Sequence, residues 1–162
     1  MGTSVNELSV AGVSYFILVC SDGSDVDDRK VFAKDIADSR IGVGEWPLYK
    51  DTPHKGSIKP GDHVLIYLAG SGLHAQCFVG TAKVSSVAVA KRGWQEPLSN
   101  LVADPAILMI SLEGIVMWGR PVSIREHLKD LEFVKSKRFW GVSLMGGVKQ
   151  ISVRDFELIS HP

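Results

Sequence analysis

Two runs of alternating polarity, residues 63–69 and 77–84, organise the reading of this chain. In His63–Ala69, Val64, Ile66 and Leu68 alternate with Leu65 and Tyr67. In Cys77–Val84, Phe78, Gly80, Ala82 and Val84 alternate with Val79, Thr81 and Lys83. A period of two is the mark of a strand, and the Ser71-Gly72 stretch between the runs predicts an antiparallel pair. Gly80, with no side chain, permits close approach of another backbone or of a ligand. Tyr15–Cys20 is an apolar, β-favouring run and predicts a buried strand. Lys59-Pro60-Gly61-Asp62 predicts a turn into the first alternating run. Further along, Ala106–Trp118 predicts a long strand region broken at Gly114, and Val148–Ile151 a short strand after the Gly146-Gly147 turn.

Helix signals lie between these runs. Ser24 or Asp25 predicts a cap, with Asp25, Asp27 and Asp28 at the positive end of a helix reaching about Asp38. Gly42 and Gly44 then stop it. Ser123 with Glu126 has capping-box spacing and predicts a helix over 124–131. Ser152 with Asp155 predicts a last short helix through Ile159. Helices and strands do not alternate in the βαβ rhythm of a parallel sheet. The expectation is an α+β fold: a small, mostly antiparallel β-barrel with peripheral helices. Residues 1–13 read as a flexible leader and 14–162 as one domain.

Composition narrows the function. Of 162 residues, 45% are hydrophobic and 22% charged, which suits a globular domain. Lys plus Arg equals Asp plus Glu, 18 each, so no global field steers the protein toward nucleic acid and any such binding needs a local basic face. No apolar run approaches the roughly 20 residues that span a bilayer, so no membrane partner is expected. Cys20 and Cys77 are the only cysteines and read as free thiols in a reducing compartment, cytoplasmic or, in a eukaryote, nuclear. His54, His63, His74, His127 and His161 make no metal-ligand spacing, and neither a paired-carboxylate site nor a nucleophile or phosphate-loop motif stands out. No metal, cofactor or catalytic residue is expected.

The candidate chemistry is aromatic. Trp46 falls in a turn-rich stretch beside the open end of the predicted sheet, where a flat ring makes one wall of a pocket; the alternative is a core tryptophan. Trp140, beside Phe139, is a candidate second wall or packs on the last helix. Tyr67 offers a hydroxyl to a pocket floor, or simply packs. Ser71, after the central strand, is a candidate contact to a bound ring or a plain loop residue. Lys50, His54 and Lys55 flank Trp46, and Lys137 and Arg138 flank Phe139-Trp140. If those two loops meet, they form a basic rim for phosphates around an aromatic hole.

The order of these segments resembles a known family. Trp46 ahead of Thr52-Pro53-His54, then IKPGDHVLIYLAG, FVGTAKV, RPVSIREHL and FVKSKRFWGVSLMGGVKQISVRDFELI, is similar to the EVE domain pattern over roughly Ser14 to Ser160. EVE domains belong to the PUA-like superfamily, beside YTH and ASCH domains. The resemblance implies a PUA-like pseudo-barrel with a pocket for a flipped or single-stranded modified base: 5-methylcytosine, 5-hydroxymethylcytosine or N6-methyladenine. YTH relatives hold a methyl group between aromatic rings, the first from a Gly-Val-Trp segment. Here Gly42-Val43-Gly44-Glu45-Trp46 resembles that segment with two additional residues. By the same resemblance Trp94 stands where a second wall is supplied, and Cys20, Ser21 and Asp22 where the first strand's end meets the base edge. ASCH enzymes carry a G-x-K-x-x-E-x-R run that this chain lacks. The implied role is a non-catalytic reader of DNA or RNA, with a nuclease or other effector as an implied partner. Two other readings stay open: a small-molecule or protein-interaction module on the same barrel, and an ASCH-like RNA-processing enzyme.

Overall fold

The computed structural model describes residues 12–161. All but the last two residues of the leader expected over 1–13 lie outside that range. Strand β1, Tyr15–Cys20, forms where the sequence places it, and five of its six residues are buried. It runs parallel to β5, His63–Leu68, and antiparallel to β8, Val148–Ile151. From β5 the chain goes on antiparallel to β6, Cys77–Val89, then to β7, Leu108–Ser123, and β7 pairs with the edge strand β4, Glu45–Leu48. The six strands lie in the order β4-β7-β6-β5-β1-β8. This curled, mostly antiparallel sheet forms an α+β half-barrel whose edges, β4 and β8, are not hydrogen-bonded to each other among the described residues.

Both faces of β5 are covered, which is why its alternation marks two cores rather than one core and one wet face. Val64, Ile66 and Leu68 pack with Phe16, Leu18 and helix α1, Ala33–Val43. Leu65 and Tyr67 pack on the opposite face, with Phe78, Leu131 and helix α2, Val153–Ser160. Strands β6 and β7 are longer than predicted, and β7 runs through Gly114 by taking a φ of 56° there. The close approach expected at Gly80 is to backbone. A Cβ there would lie 2.5 Å from the Val116 carbonyl oxygen.

Three expectations about local structure are corrected. The helix predicted to begin at Ser24 or Asp25 begins at Ala33. Asp25 instead closes a loop: its Oδ1 accepts from the N–H groups of Asp27 at 2.8 Å and Arg29 at 2.9 Å, with Asp28 at a φ of 60°. That local alternative outcompetes a helical first turn. Gly23–Ser24 (β2) and Lys30–Val31 (β3) pair across it. The cap on α1 comes from a distance, since Asp22 Oδ1 accepts from the N–H of Ala33 at 2.9 Å. Second, the helix predicted over 124–131 is a single 3-10 turn, Ile124–Glu126. Its caps are present, Ser123 Oγ accepting from Arg125 N and Glu126 Oε2 from Ser123 N, but nothing continues it. Third, Trp46 is not in a loop but in β4, paired with Ile110. The last helix has the predicted cap, Ser152 Oγ accepting from Asp155 N at 3.1 Å.

Candidate functional site

Helix α1 ends at Gly44, whose φ of 71° turns the chain back on itself. The turn brings Trp46 under the last turn of the helix it has just left. Arg40 lies on the buried face, following Ala33, Ile36 and Ala37 at helical spacing. Its guanidinium carbon sits 4.9 Å from the centre of the Trp46 ring. Trp46 is 1% exposed and Arg40 8%, so neither offers an open face at this point, and the indole backs the planar guanidinium.

Glu96 holds that plate in place. It accepts from Arg40 Nε at 3.0 Å and from Nη2 at 2.6 Å, a two-pronged pair of fixed geometry. The Tyr49 hydroxyl also donates to Glu96 Oε2. Burial works against the charge of Arg40, but Glu96 more than offsets it and the guanidinium stays firmly protonated. Burial, then Glu96, pushes the Tyr49 hydroxyl far above its ordinary range. Among the described residues Arg40 Nη1 has no hydrogen-bond partner, and no buried side-chain nitrogen or oxygen lacks one. Nη1 therefore opens onto the adjacent space.

That space is a cavity of about 720 Å³. Its walls come from five segments: the end of β1 at Cys20 and Ser21, Arg40, the run 46–52, Glu96 with residues 101–105, and Gly146-Gly147. The size suits a small flat ligand. The 101–105 wall is strapped down by backbone bonds to the β2 loop, Val102 N to Ser24 O at 2.8 Å and Val26 N to Asn100 O at 3.1 Å. Cys20 donates its thiol to the Ala33 carbonyl at 3.4 Å, and burial raises its pKa to about 11. It is a wall and not a nucleophile.

The sequence-predicted residues fall into three groups. Trp46, Cys20, Ser21 and Lys50 line this cavity. Tyr67 and Trp140 line a smaller one of about 360 Å³, which shares Ser21 and Gly146 with the first. Trp94, Asp22 and Ser71 line neither. Trp94 is half-buried beside a turn closed by its own N–H to the Lys91 carbonyl. Asp22 and Ser71 bind each other: Asp22 Oδ2 accepts from Ser71 N at 2.9 Å and Oγ at 2.8 Å. Burial opposes ionisation of Asp22, but these bonds and the one from Ala33 outweigh it and lower its pKa.

Of the cationic candidates, Lys50 stands exposed at the cavity wall. Lys55 Nζ donates to the Lys50 carbonyl at 2.7 Å, and His54 holds a φ of 59° in the same turn. Lys137 Nζ donates to the Leu131 carbonyl at 2.7 Å, while Arg138 lies over Phe139 at 5.1 Å. The segments after Trp46 and after Trp140 touch at Pro53 and Gly146. Sequence reasoning missed Arg40, Tyr49 and Glu96. Arg40 carried a signal, its i, i+3, i+4, i+7 spacing with Ala33, Ile36 and Ala37. Glu96 carried none, since its partner lies 56 residues away.

Comparison with known proteins places this geometry. No curated protein matches the sequence. The human THYN1 protein, solved in complex with DNA containing 5-methylcytosine, superposes with a TM-score of 0.57 at 12% identity, over 90% of this chain and 95% of that one. Rpa0253 from Rhodopseudomonas palustris gives 0.53 at 14% identity, over 91% of each chain. The N-terminal domain of Staphylothermus marinus McrB gives 0.50 at 12% identity, over 94% and 96%. At these identities the likeness is one of fold. The family model of the EVE domain matches residues 28–161. The chain belongs to the EVE domain family and has its PUA-like pseudo-barrel fold.

Proposed function

We propose that this protein reads a modified base in DNA or RNA and performs no chemistry on it. The base, of the 5-methylcytosine, 5-hydroxymethylcytosine or N6-methyladenine class, enters the larger cavity. The observation that carries the reading is the Arg40–Glu96 pair at the cavity wall. Base edges are read by fixed donors and acceptors, and this guanidinium is clamped by Glu96 and backed by Trp46. Arg40 Nη1 meets an acceptor on the base edge, and the free acceptor capacity of Glu96 meets a donor. Methyl burial alone contributes only about 0.8 kcal/mol per carbon, so this polar pair sets the register and the apolar walls refine the choice. The 5-methylcytosine DNA in the THYN1 complex supports the class of ligand. Lys50 at the wall steers the phosphates.

Fluorescence polarisation at fixed salt tests this. The panel of short DNA and RNA single strands carries cytosine, 5-methylcytosine, 5-hydroxymethylcytosine, adenine or N6-methyladenine. Wild type should bind one modified strand more tightly than its unmodified twin, and Arg40→Leu, with folding checked by circular dichroism, should lose the preference. Equal binding of every strand, or none, overturns the reading and favours a free small molecule or a protein as ligand.

A further inference from the structure

The smaller cavity has the makings of a second base site. Tyr67 is 1% exposed, yet among the described residues its hydroxyl has no partner. Because no fully enclosed side-chain oxygen among the described residues is left unpaired, that hydroxyl opens onto the cavity it lines. Burial raises its pKa far above the ordinary tyrosine range, so it remains a neutral donor. Gln76 lines the same space from a strained backbone, at a φ of 63°. Arg125 Nη1 donates to Gln76 Oε1 at 3.0 Å, which fixes the amide and leaves its Nε2 donors free. The same Arg125 lies over the Trp140 ring, 5.3 Å from its centre, and so braces the wall and the edge group together. An aromatic wall, a hydroxyl and an amide donor are the elements of base recognition. The two cavities share Ser21 and Gly146, so ligands in both lie side by side.

We propose that the smaller cavity takes the base next to the modified one on the same strand, stacked on Trp140 with its acceptor edge on Tyr67 and Gln76. The protein then reads a two-base step, and neighbouring sequence tunes its affinity. This rests on the larger cavity being the modified-base site.

The test uses the tightest-binding modified strand of the panel above in three forms: intact, abasic at the 5′ neighbour, and abasic at the 3′ neighbour. One abasic form should bind wild type about tenfold more weakly, the scale of one lost stacking contact. In Trp140→Leu the intact and abasic strands should bind alike. Tyr67→Phe, which keeps the ring, should retain the abasic penalty but lose discrimination among the four bases at that position. If neither abasic form weakens binding, or if the penalty survives in Trp140→Leu, the second site is overturned while the modified-base preference stands. If wild type binds no strand at all, the parent reading falls and this one with it.

Discussion

Arg40 and Glu96, 56 residues apart, form a two-pronged ion pair with Nη2 to Oε2 at 2.6 Å, and each is nearly sealed from solvent. It joins the last turn of α1 to the irregular segment between β6 and β7, which no strand pairing holds at that point. Removing one member leaves the other charge with poor hydration and no partner, a loss of about 3 kcal/mol for a buried pair. Glu96→Ala should therefore lower the urea midpoint markedly. Glu96→Ala combined with Arg40→Leu should recover part of the loss, and a double-mutant cycle measures the coupling. Additive effects would mean that the pair is not a unit.

Lys50 and Arg40 should separate on salt titration. Lys50→Ala should weaken every strand evenly and reduce the slope of log affinity against log salt by about one. Arg40→Leu should instead change which strand is preferred. A Lys50→Ala slope equal to wild type would remove Lys50 from the phosphate path.

Asp22 should leave a mark on acid stability. Its pKa is lowered in the fold by hydrogen bonds from Ala33 and Ser71, against burial. Such a group contributes stability that is present above the ordinary carboxylate pKa and lost as pH falls through the folded value. Denaturant unfolding between pH 6 and 3 should show this fall in wild type and a shallower one in Asp22→Asn. The effect is small, because Asp22 is partly exposed and solvent screens it.

Cys20 acts at the other end of the scale. Burial raises its thiol from 9.0 to about 11. A raised pKa gives stability that is whole below pH 9.0 and drains away as pH climbs through about 11. Unfolding measured from pH 8 to 11 should fall less steeply in Cys20→Ala than in wild type. At pH 8 the native thiol should also resist alkylation until the chain is unfolded in urea.

Gly80 is fixed by its neighbour across the sheet. A Cβ there would lie 2.5 Å from the Val116 carbonyl oxygen and 2.9 Å from Met117 Sδ. Gly80→Ala should push β6 and β7 apart and cost about 1–3 kcal/mol, seen as a drop in melting temperature. An unchanged Tm would show that β7 yields freely at this point.

Five of the six strands of the main sheet, all but β4, were legible because apolar patterning and turn chemistry pointed the same way. Tyr15–Cys20 and Val148–Ile151 match their predicted bounds. Failures came where a side chain offered the backbone a competing bond. Asp25 binding Asp27 and Arg29 looks, in sequence, the same as Asp25 capping a helix. Trp46 was recognisable as a residue of the site's neighbourhood, but not as one covered by Arg40. That contact depends on where α1 stops, and the predicted helix stopped two residues short of Arg40. The Arg40–Glu96 pair lay beyond local reading altogether, because no pattern within a window links residues 56 positions apart.

The strand order also says something about how the molecule comes together. Strands β5, β6 and β7 are consecutive in the chain and pair consecutively, so this meander closes connections of 8 residues (69–76) and 18 residues (90–107). Strand β1 reaches β5 across more than forty residues, and β4 reaches β7 across about sixty, so both pay a larger closure entropy. No wall residue of the larger cavity lies on β5, β6 or β7 themselves: Glu96, residues 101–105 and Ile107 come from the β6–β7 connection and the other walls from outside the meander. The larger cavity should thus be the last part of the chain to assemble, on a sheet that already exists. Stopped-flow refolding should show it directly: protection of the β5–β7 amides first, and burial of Trp46 in the slowest phase.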